Sequence, residues 1–399
     1  MRWEASYKIA IPMFLAGAEQ EKPPELRPPS FKGLLRFWFR AVALPKLKSW
    51  KEVQKLEREL FGSTDQQSSF FLDLDITEKE NTSPENRRIE GLQNKHGLIY
   101  LGHGLINHRG QLQRHYLKSG GIFTLRLLLK KNKESEEAKF FLPLALKALG
   151  LFGGAGARSR RGFGSLSLLS LFEDGQRIWK APANASELAE SQRELLSALE
   201  LNTGEKSELP DYTAFSNQTQ IWIGKTGSQA IDLLNEIGFE LLRYRSYGKK
   251  ENGEHILPGR EEAEQNFAPD HDLITEFCRT GEIKKHPARI VFGLPHNYFF
   301  SSTRDIVQIQ PTGETGRRAS PLFIHIHELR NDNFAAVLSL LPAKFFPLQT
   351  KIAISAKNRD EKVVRYKKEI DYDIDSIDYQ IIEKFMERPV FAQKVVVWS

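Results

Sequence analysis

At 399 residues the chain is long enough for two or three domains of roughly 150 residues each. With 40% hydrophobic and 27% charged residues it falls outside the disordered, collagen-like and membrane classes. Its 57 lysines and arginines against 51 aspartates and glutamates leave a formal charge of +6, which tilts the reading toward an anionic partner.

The N-terminal stretch MRWEASYKIAIPMFLAG is interrupted by Lys8 and Pro12 and is shorter than the roughly 20 residues of a membrane span, so it reads as a first strand, Ser6 to Phe14, with no membrane partner. A proline-rich loop follows. Ser30 is the expected N-cap of a helix from Phe31 to Leu44, in which Phe31, Leu34, Leu35, Trp38 and Val42 share one face. A second helical run covers Lys51 to Leu60, and FFLDLDI alternates as a half-buried strand. Residues 77–120 are polar and glycine-dotted, an insertion with a short strand expected near Leu98 to Leu101. GIFTLRLLLK reads as a strand, AKFFLPLALKALGLF as an apolar helix, GGAGARSRRGFG as a Gly/Arg loop and SLSLLSLF as a strand.

That order, strand-helix-strand, insertion, strand-helix-strand, is the βαββαβ order of the ferredoxin-like, RRM-like α+β fold over residues 1–172. Residues 173–211 read as a connection around one amphipathic helix, Glu187 to Leu201, and 212–399 as a second αβ domain. In the latter, strands are expected at Phe215–Ile223, Arg289–Phe292, Pro321–His327, Lys351–Ser355 and Val390–Trp398. Helices are expected at Gln229–Tyr244, Asn333–Leu341 and Ser376–Met386; periodicity alone leaves the topology open.

The strongest local feature is the Gly/Arg loop between Gly150 and Ser165, where six glycines interleave with Arg158, Arg160 and Arg161. Glycines let backbone N–H groups converge on an anion and arginines supply bidentate phosphate donors. The loop lacks the GK[ST] of a P-loop, and a strand follows it where a dinucleotide turn would open a helix. Lys32, Arg36 and Arg40 recur every four residues and place three charges on one face of the first helix. Phe39 and Phe163 sit among these groups and are candidates for base stacking. Arg243, Arg245, Lys249 and Lys250 with Tyr244 and Tyr247 form a further basic and aromatic mixture, as do Arg317 and Arg318 before PLFIHIH.

Catalytic signals are missing by comparison. The single cysteine, Cys278, excludes a disulfide framework and a cysteine zinc cluster and fits a reducing, cytoplasmic setting. His96, His103, His108 and His115, and the pair His325 and His327, have no HExxH-type spacing and read as structural or solvated groups, with no metal or other cofactor implied. No G-x-S-x-G is present, and Asp73 and Asp75 read as solvent-facing strand residues.

PSFKGLLRFWFRA, LFGS before SSFFLDL, GGAGARSRRGFGSL, VFGLP and RRASPLF, in that order between residues 29 and 323, resemble the family of first subunits of the Cmr complex, RAMP-superfamily proteins of type III-B CRISPR effectors. The resemblance implies two ferredoxin-like domains with a basic cleft, and a non-catalytic subunit near the 3′ part of the guide RNA that helps capture target RNA. Its implied partners are guide CRISPR RNA, target RNA and other RAMP subunits. It also implies RNA-site roles for Lys32, Arg36, Phe37, Trp38 and Arg40, for Gly154, Gly156, Arg158, Arg160, Arg161 and Gly164, and for Arg317 and Arg318. The alternative is a RAMP-type endoribonuclease, for which Asp65 is the nearest loop aspartate; relatives that process guide precursors often carry an early histidine, and this chain has none before His96.

Overall fold

The computed structural model describes residues 1–17, 22–77, 89, 91–201, 208–300, 303–313, 316–347, 349–358, 363–371 and 377–399. Parts of the expected insertion (78–88 and 90), of the connection (202–207) and the expected helix start at Ser376 lie outside the described residues. Among the described residues no helix is long and apolar enough to cross a membrane.

The first unit begins with β1 (Arg2–Ile9), whose alternation sends Trp3, Ala5, Tyr7 and Ile9 into the core. Next come α1 (Pro28–Leu47), α2 (Trp50–Phe61), β2 (Phe70–Ile76), α3 (His96–Leu101), β3 (Ile122–Leu129), α4 (Glu136–Phe152), β4 (Leu166–Glu173) and β5 (Gln176–Lys180). The sheet runs β2-β3-β1-β4-β5 with every pairing antiparallel, the ferredoxin-like order with one extra edge strand. Helix α1 starts three residues earlier than its serine suggests. Arg27 is the N-cap and Pro28 opens the helix, where a missing N–H costs nothing, so Ser30 lies inside the first turn. Phe31, Leu35, Trp38, Phe39 and Val42 are buried against the sheet and α4. Ser135 caps α4 by accepting the Ala138 N–H at 3.1 Å.

Helix α5 (Ala185–Ala198) bridges the two units: Gln192 Nε2 donates to the Leu151 carbonyl at 3.1 Å and Arg193 Nη2 to that of Val396 at 2.7 Å. The second unit repeats the pattern with β6 (Gln220–Gly227), α6 (Ala230–Arg245), β11 (Leu322–Glu328), β12 (Phe334–Leu340), α8 (Gln380–Met386) and β15 (Val395–Trp398), in the antiparallel order β11-β12-β6-β15. Between α6 and β11 lie β7 (Lys249–Glu251), β8 (Glu254–Ile256), α7 (Ala268–Thr280), β9 (His296–Phe299) and β10 (Asp305–Pro311). Between β12 and α8 lie β13 (Lys351–Asn358) and β14 (Val364–Asp371). The two insertions join into one accessory sheet, β14-β13-β10-β9.

Four expectations are corrected. Asn333–Leu341 is the strand β12: FAAVLSL is apolar throughout, and such a run fits a buried strand as well as a buried helix. Leu98–Leu101 belongs to the helix α3, which crosses α6 so closely that a Cβ on Gly97 would lie 2.0 Å from the Asn235 carbonyl oxygen. Arg289–Phe292 forms a 3-10 turn, and the last strand begins only at Val395 because Pro389 opens another such turn.

Candidate nucleic-acid interface

The Gly/Arg loop leaves α4 and lies between the two units. Its glycines serve close packing. Gly156 has φ +87° and a Cβ there would stand 2.5 Å from the Phe14 carbonyl oxygen; at Gly164, φ +65°, it would stand 2.0 Å from that of Ala155. Gly154 bridges to Ser165 inside the same fold-back. Three of the loop N–H groups are spent internally: Ala155 donates to Gly164, Ala157 to Phe14 and Gly164 to Pro12, at 2.9, 2.9 and 3.0 Å. These three donors are closed to an anion, where the sequence reading expects the loop N–H groups to converge on one.

The arginines divide. Arg160 Nη1 donates to the Ser320 carbonyl at 2.6 Å, and its guanidinium sits over Phe323 at 4.5 Å and Phe37 at 5.3 Å, so it pins the units together. Desolvation, with the nearby Arg318 charge, pushes its pKa down to about 10. Along the same seam the outer edge of β11 is covered. Ile324 N–H donates to the Arg160 carbonyl at 3.0 Å, Ile326 N–H to Ser165 Oγ at 3.1 Å and Glu328 N–H to Ser167 Oγ at 2.7 Å. His325 Nδ1–H donates to the Gly153 carbonyl at 2.8 Å; His327 Nδ1–H is shared between the Gly150 carbonyl at 3.1 Å and His325 Nε2 at 3.3 Å. That tautomer pair is assigned from its acceptors and is neutral. Burial pushes His325 down to about 4 and His327 well below its ordinary value. Among the described residues no group of three or more His, Cys, Asp or Glu is placed to hold a metal.

Arg158 and Arg161 face the other way, into a cavity of about 730 Å³. Tyr100 and His103 after α3 form one wall, the segment from Arg245 to Lys250 a second, and Arg289 with the β9 region a third. Arg245 is buried, and its guanidinium lies 4.3 Å over the Phe292 ring. Among the described residues it has no carboxylate partner and its Nε has no acceptor. Burial, reinforced by the charges of Arg161 and Arg289, lowers its pKa to about 10. Arg289 donates to the Arg245 carbonyl at 2.8 Å, stacks on Tyr298 at 4.5 Å and stands 3.6 Å from Asp270. His296 is driven well below its ordinary range by desolvation and by Arg245, Arg289 and Arg161, so it is neutral. The Tyr247 ring stacks parallel on His271 at 3.9 Å, and Phe299 is 66% exposed. No aspartate or glutamate lines this cavity among the described residues. Three clustered guanidiniums, of which only Arg289 has a nearby carboxylate, with flat aromatic rings make a seat for an anion that carries a planar ring.

The other expected residues fall elsewhere. Phe163 and Phe39 are buried, Phe163 edge-on to Phe14 at 5.5 Å, and neither is open to a base. Trp38 is buried too, among Phe152, Phe215 and Phe323. Lys32 sits over Phe70 at 5.6 Å, and Arg36 Nη2 donates to the Phe61 carbonyl at 3.0 Å, so the helix-one stripe leans on α2. Arg317 is exposed and does not line this cavity; its charge and that of Arg114 add to desolvation in lowering the Arg158 pKa. Arg318 and Arg40 line a separate, second cavity. Arg289, His296 and Tyr298 carried no sequence signal, because they stand outside any motif and meet Arg245 only through the fold.

Residues 12–167 match the RAMP superfamily. The chain is 27% identical over 326 residues to the CRISPR system Cmr subunit Cmr1-1 of Pyrococcus furiosus, covering 81% of this chain and 82% of that one. The chain is similar to Cmr1 along about four fifths of its length. A second Pyrococcus furiosus subunit, Cmr1-2, is 26% identical over 180 residues, 41% of this chain and 92% of that one. The fold agrees with the crystal structure of apo Cmr1 from Pyrococcus furiosus, TM-score 0.56 at 19% identity, covering 100% of this chain and 99% of that one. It agrees also with a chain of a type III-B Cmr-beta complex bound to cognate target RNA and AMPPnP, TM-score 0.53 at 15% identity, covering 98% and 99%. The Cmr1 likeness thus extends through both βαββαβ units and is not confined to the RAMP-matching segment.

Proposed function

We propose that this chain is a non-catalytic RNA-binding subunit of a type III-B CRISPR ribonucleoprotein of the cytoplasm, placed near the 3′ part of the guide RNA and helping to capture target RNA. Its partners are the guide RNA, the target RNA and other Cmr subunits. The observation that carries this reading is the buried Arg245 guanidinium, flanked by Arg161 and Arg289 and lacking a carboxylate, in a cavity walled by Tyr100, Tyr247 and Tyr298. Phosphate neutralisation and ring stacking are the two terms that single-stranded RNA binding needs. The similarity to Cmr1 supports the assembly. Beside the guanidiniums, His296 is held neutral, its pKa well below the ordinary histidine value, and is a weak base.

The test is retention of labelled single-stranded RNA by the purified chain over a salt series, with and without Mg²⁺ or Mn²⁺, scored also for strand scission. Salt-sensitive retention of uncut RNA is expected, with log K falling by about 0.7 per decade of salt for each phosphate engaged. Metal-dependent scission that survives repurification overturns the non-catalytic reading.

A further inference from the structure

A second cavity, about 580 Å³, opens beside the Phe37–Arg160 contact, between α1, α2 and the segment that carries Tyr212 and Thr213. Glu57 stands in its wall with its side chain only 13% exposed. The carboxylate is 3.8 Å from Arg36 Nη1 and 3.6 Å from Arg40 Nε, ion pairs too long to be hydrogen bonds. Among the described residues neither Glu57 oxygen accepts a hydrogen bond, and the buried Tyr212 hydroxyl has no partner. Trp50, 46% exposed, and Phe37 supply flat walls, and Arg40, Arg58 and Arg318 stand around the opening.

The carboxylate is charge-balanced by the two guanidiniums, yet with no donor at hydrogen-bond distance both oxygens are left to accept from a ligand in the cavity. The complement is a group offering two adjacent N–H donors. The surrounding arginines disfavour a cationic side chain and favour a neutral ring attached to phosphates. Among the four RNA bases only guanine presents two neighbouring donors, N1–H and N2–H, on its Watson–Crick edge, the edge that proteins read on splayed-out single strands. We propose that this cavity seats one unpaired guanine of a bound RNA, with N1–H and N2–H donating to the two Glu57 oxygens, the ring on Trp50 and the adjoining phosphates on Arg40 and Arg58. The proposal rests on the RNA-binding reading and adds one discriminating position to an otherwise sequence-tolerant groove.

The experiment compares retention, by the full chain at fixed salt, of uridine oligomers carrying a single central guanine, inosine or adenine. Inosine keeps N1–H and lacks the 2-amino group. Wild type is expected to hold the guanine oligomer about tenfold more tightly than the adenine one, with inosine between. Glu57→Gln, which keeps the side-chain shape, erases this order while leaving adenine-oligomer binding equal or stronger, because a negative charge has gone. Trp50→Ala, at an exposed position, weakens all three oligomers and is the check that the ring wall is used. Equal wild-type affinities for the three oligomers overturn the proposal, as does a guanine preference that persists in Glu57→Gln. Failure to retain any oligomer instead sinks the RNA-binding reading itself.

Discussion

Arg245 carries opposite demands for stability and for binding. A guanidinium buried beside two others without a carboxylate destabilises the folded chain, and an anion relieves that cost. Arg245→Met is therefore expected to raise the unfolding free energy by about 1–2 kcal/mol in chemical denaturation while weakening RNA and flattening the salt slope by about 0.7. A purely structural arginine gives the reverse, lower stability with RNA binding intact. Within the Gly/Arg loop the three arginines separate likewise. Arg160→Ala loses a charged hydrogen bond to Ser320 and its contacts with Phe323 and Phe37, a cost of about 2–4 kcal/mol with an unchanged salt slope. Arg158→Ala with Arg161→Ala leaves stability nearly unchanged and flattens the slope.

At the scale of elements, the loop after α4 is a packed connector, and several of its N–H groups already have acceptors. Gly156→Ala forces a side chain into a left-handed backbone and against the Phe14 carbonyl, and is expected to cost about 2–4 kcal/mol in thermal or denaturant unfolding. A near-neutral result contradicts the packing role. Most first-unit elements were legible in the sequence because each has one clean period: β1 alternates, and α1 carries Phe31, Leu35, Trp38 and Val42 on one stripe. Strand β12 was not, since a run apolar on both faces has no period to read. The site was legible only in part. Arg158 and Arg161 declared themselves through composition, whereas Arg289, His296 and Tyr298 come from a 3-10 turn and a strand more than forty residues beyond α6. Nothing local marks a residue whose role is set by what folds back onto it.

Across the whole molecule, the two ferredoxin-like units are joined by a seam in which neutral His325 and His327 occupy the gap between β11 and the loop. Both have folded-state pKa values depressed by burial, His325 to about 4, against an ordinary value of 6.5. Above pH 6.5 neither state takes the proton and the seam is undisturbed. As pH falls below 6.5 the unfolded chain is protonated first, so stability declines by about 1.4 kcal/mol per pH unit for each histidine. For His325 the decline levels off near pH 4. Unfolding free energies measured between pH 7 and 4.5 check this, and His325→Gln is expected to remove part of the slope. The same seam sets the walls of the arginine cavity, since Arg161 pairs with Ile324 across it.

The central claim, that RNA enters the cavity lined by Arg161, Arg245 and Arg289, is met most directly by photo-crosslinking the full chain to single-stranded RNA containing 4-thiouridine and mapping the adducts by mass spectrometry. The account predicts adducts on Tyr100, Tyr247 and Tyr298 that disappear in Arg245→Met. Adducts confined to the outer face of the first sheet, around Phe71 and Leu128, with the cavity tyrosines unlabelled, would contradict it.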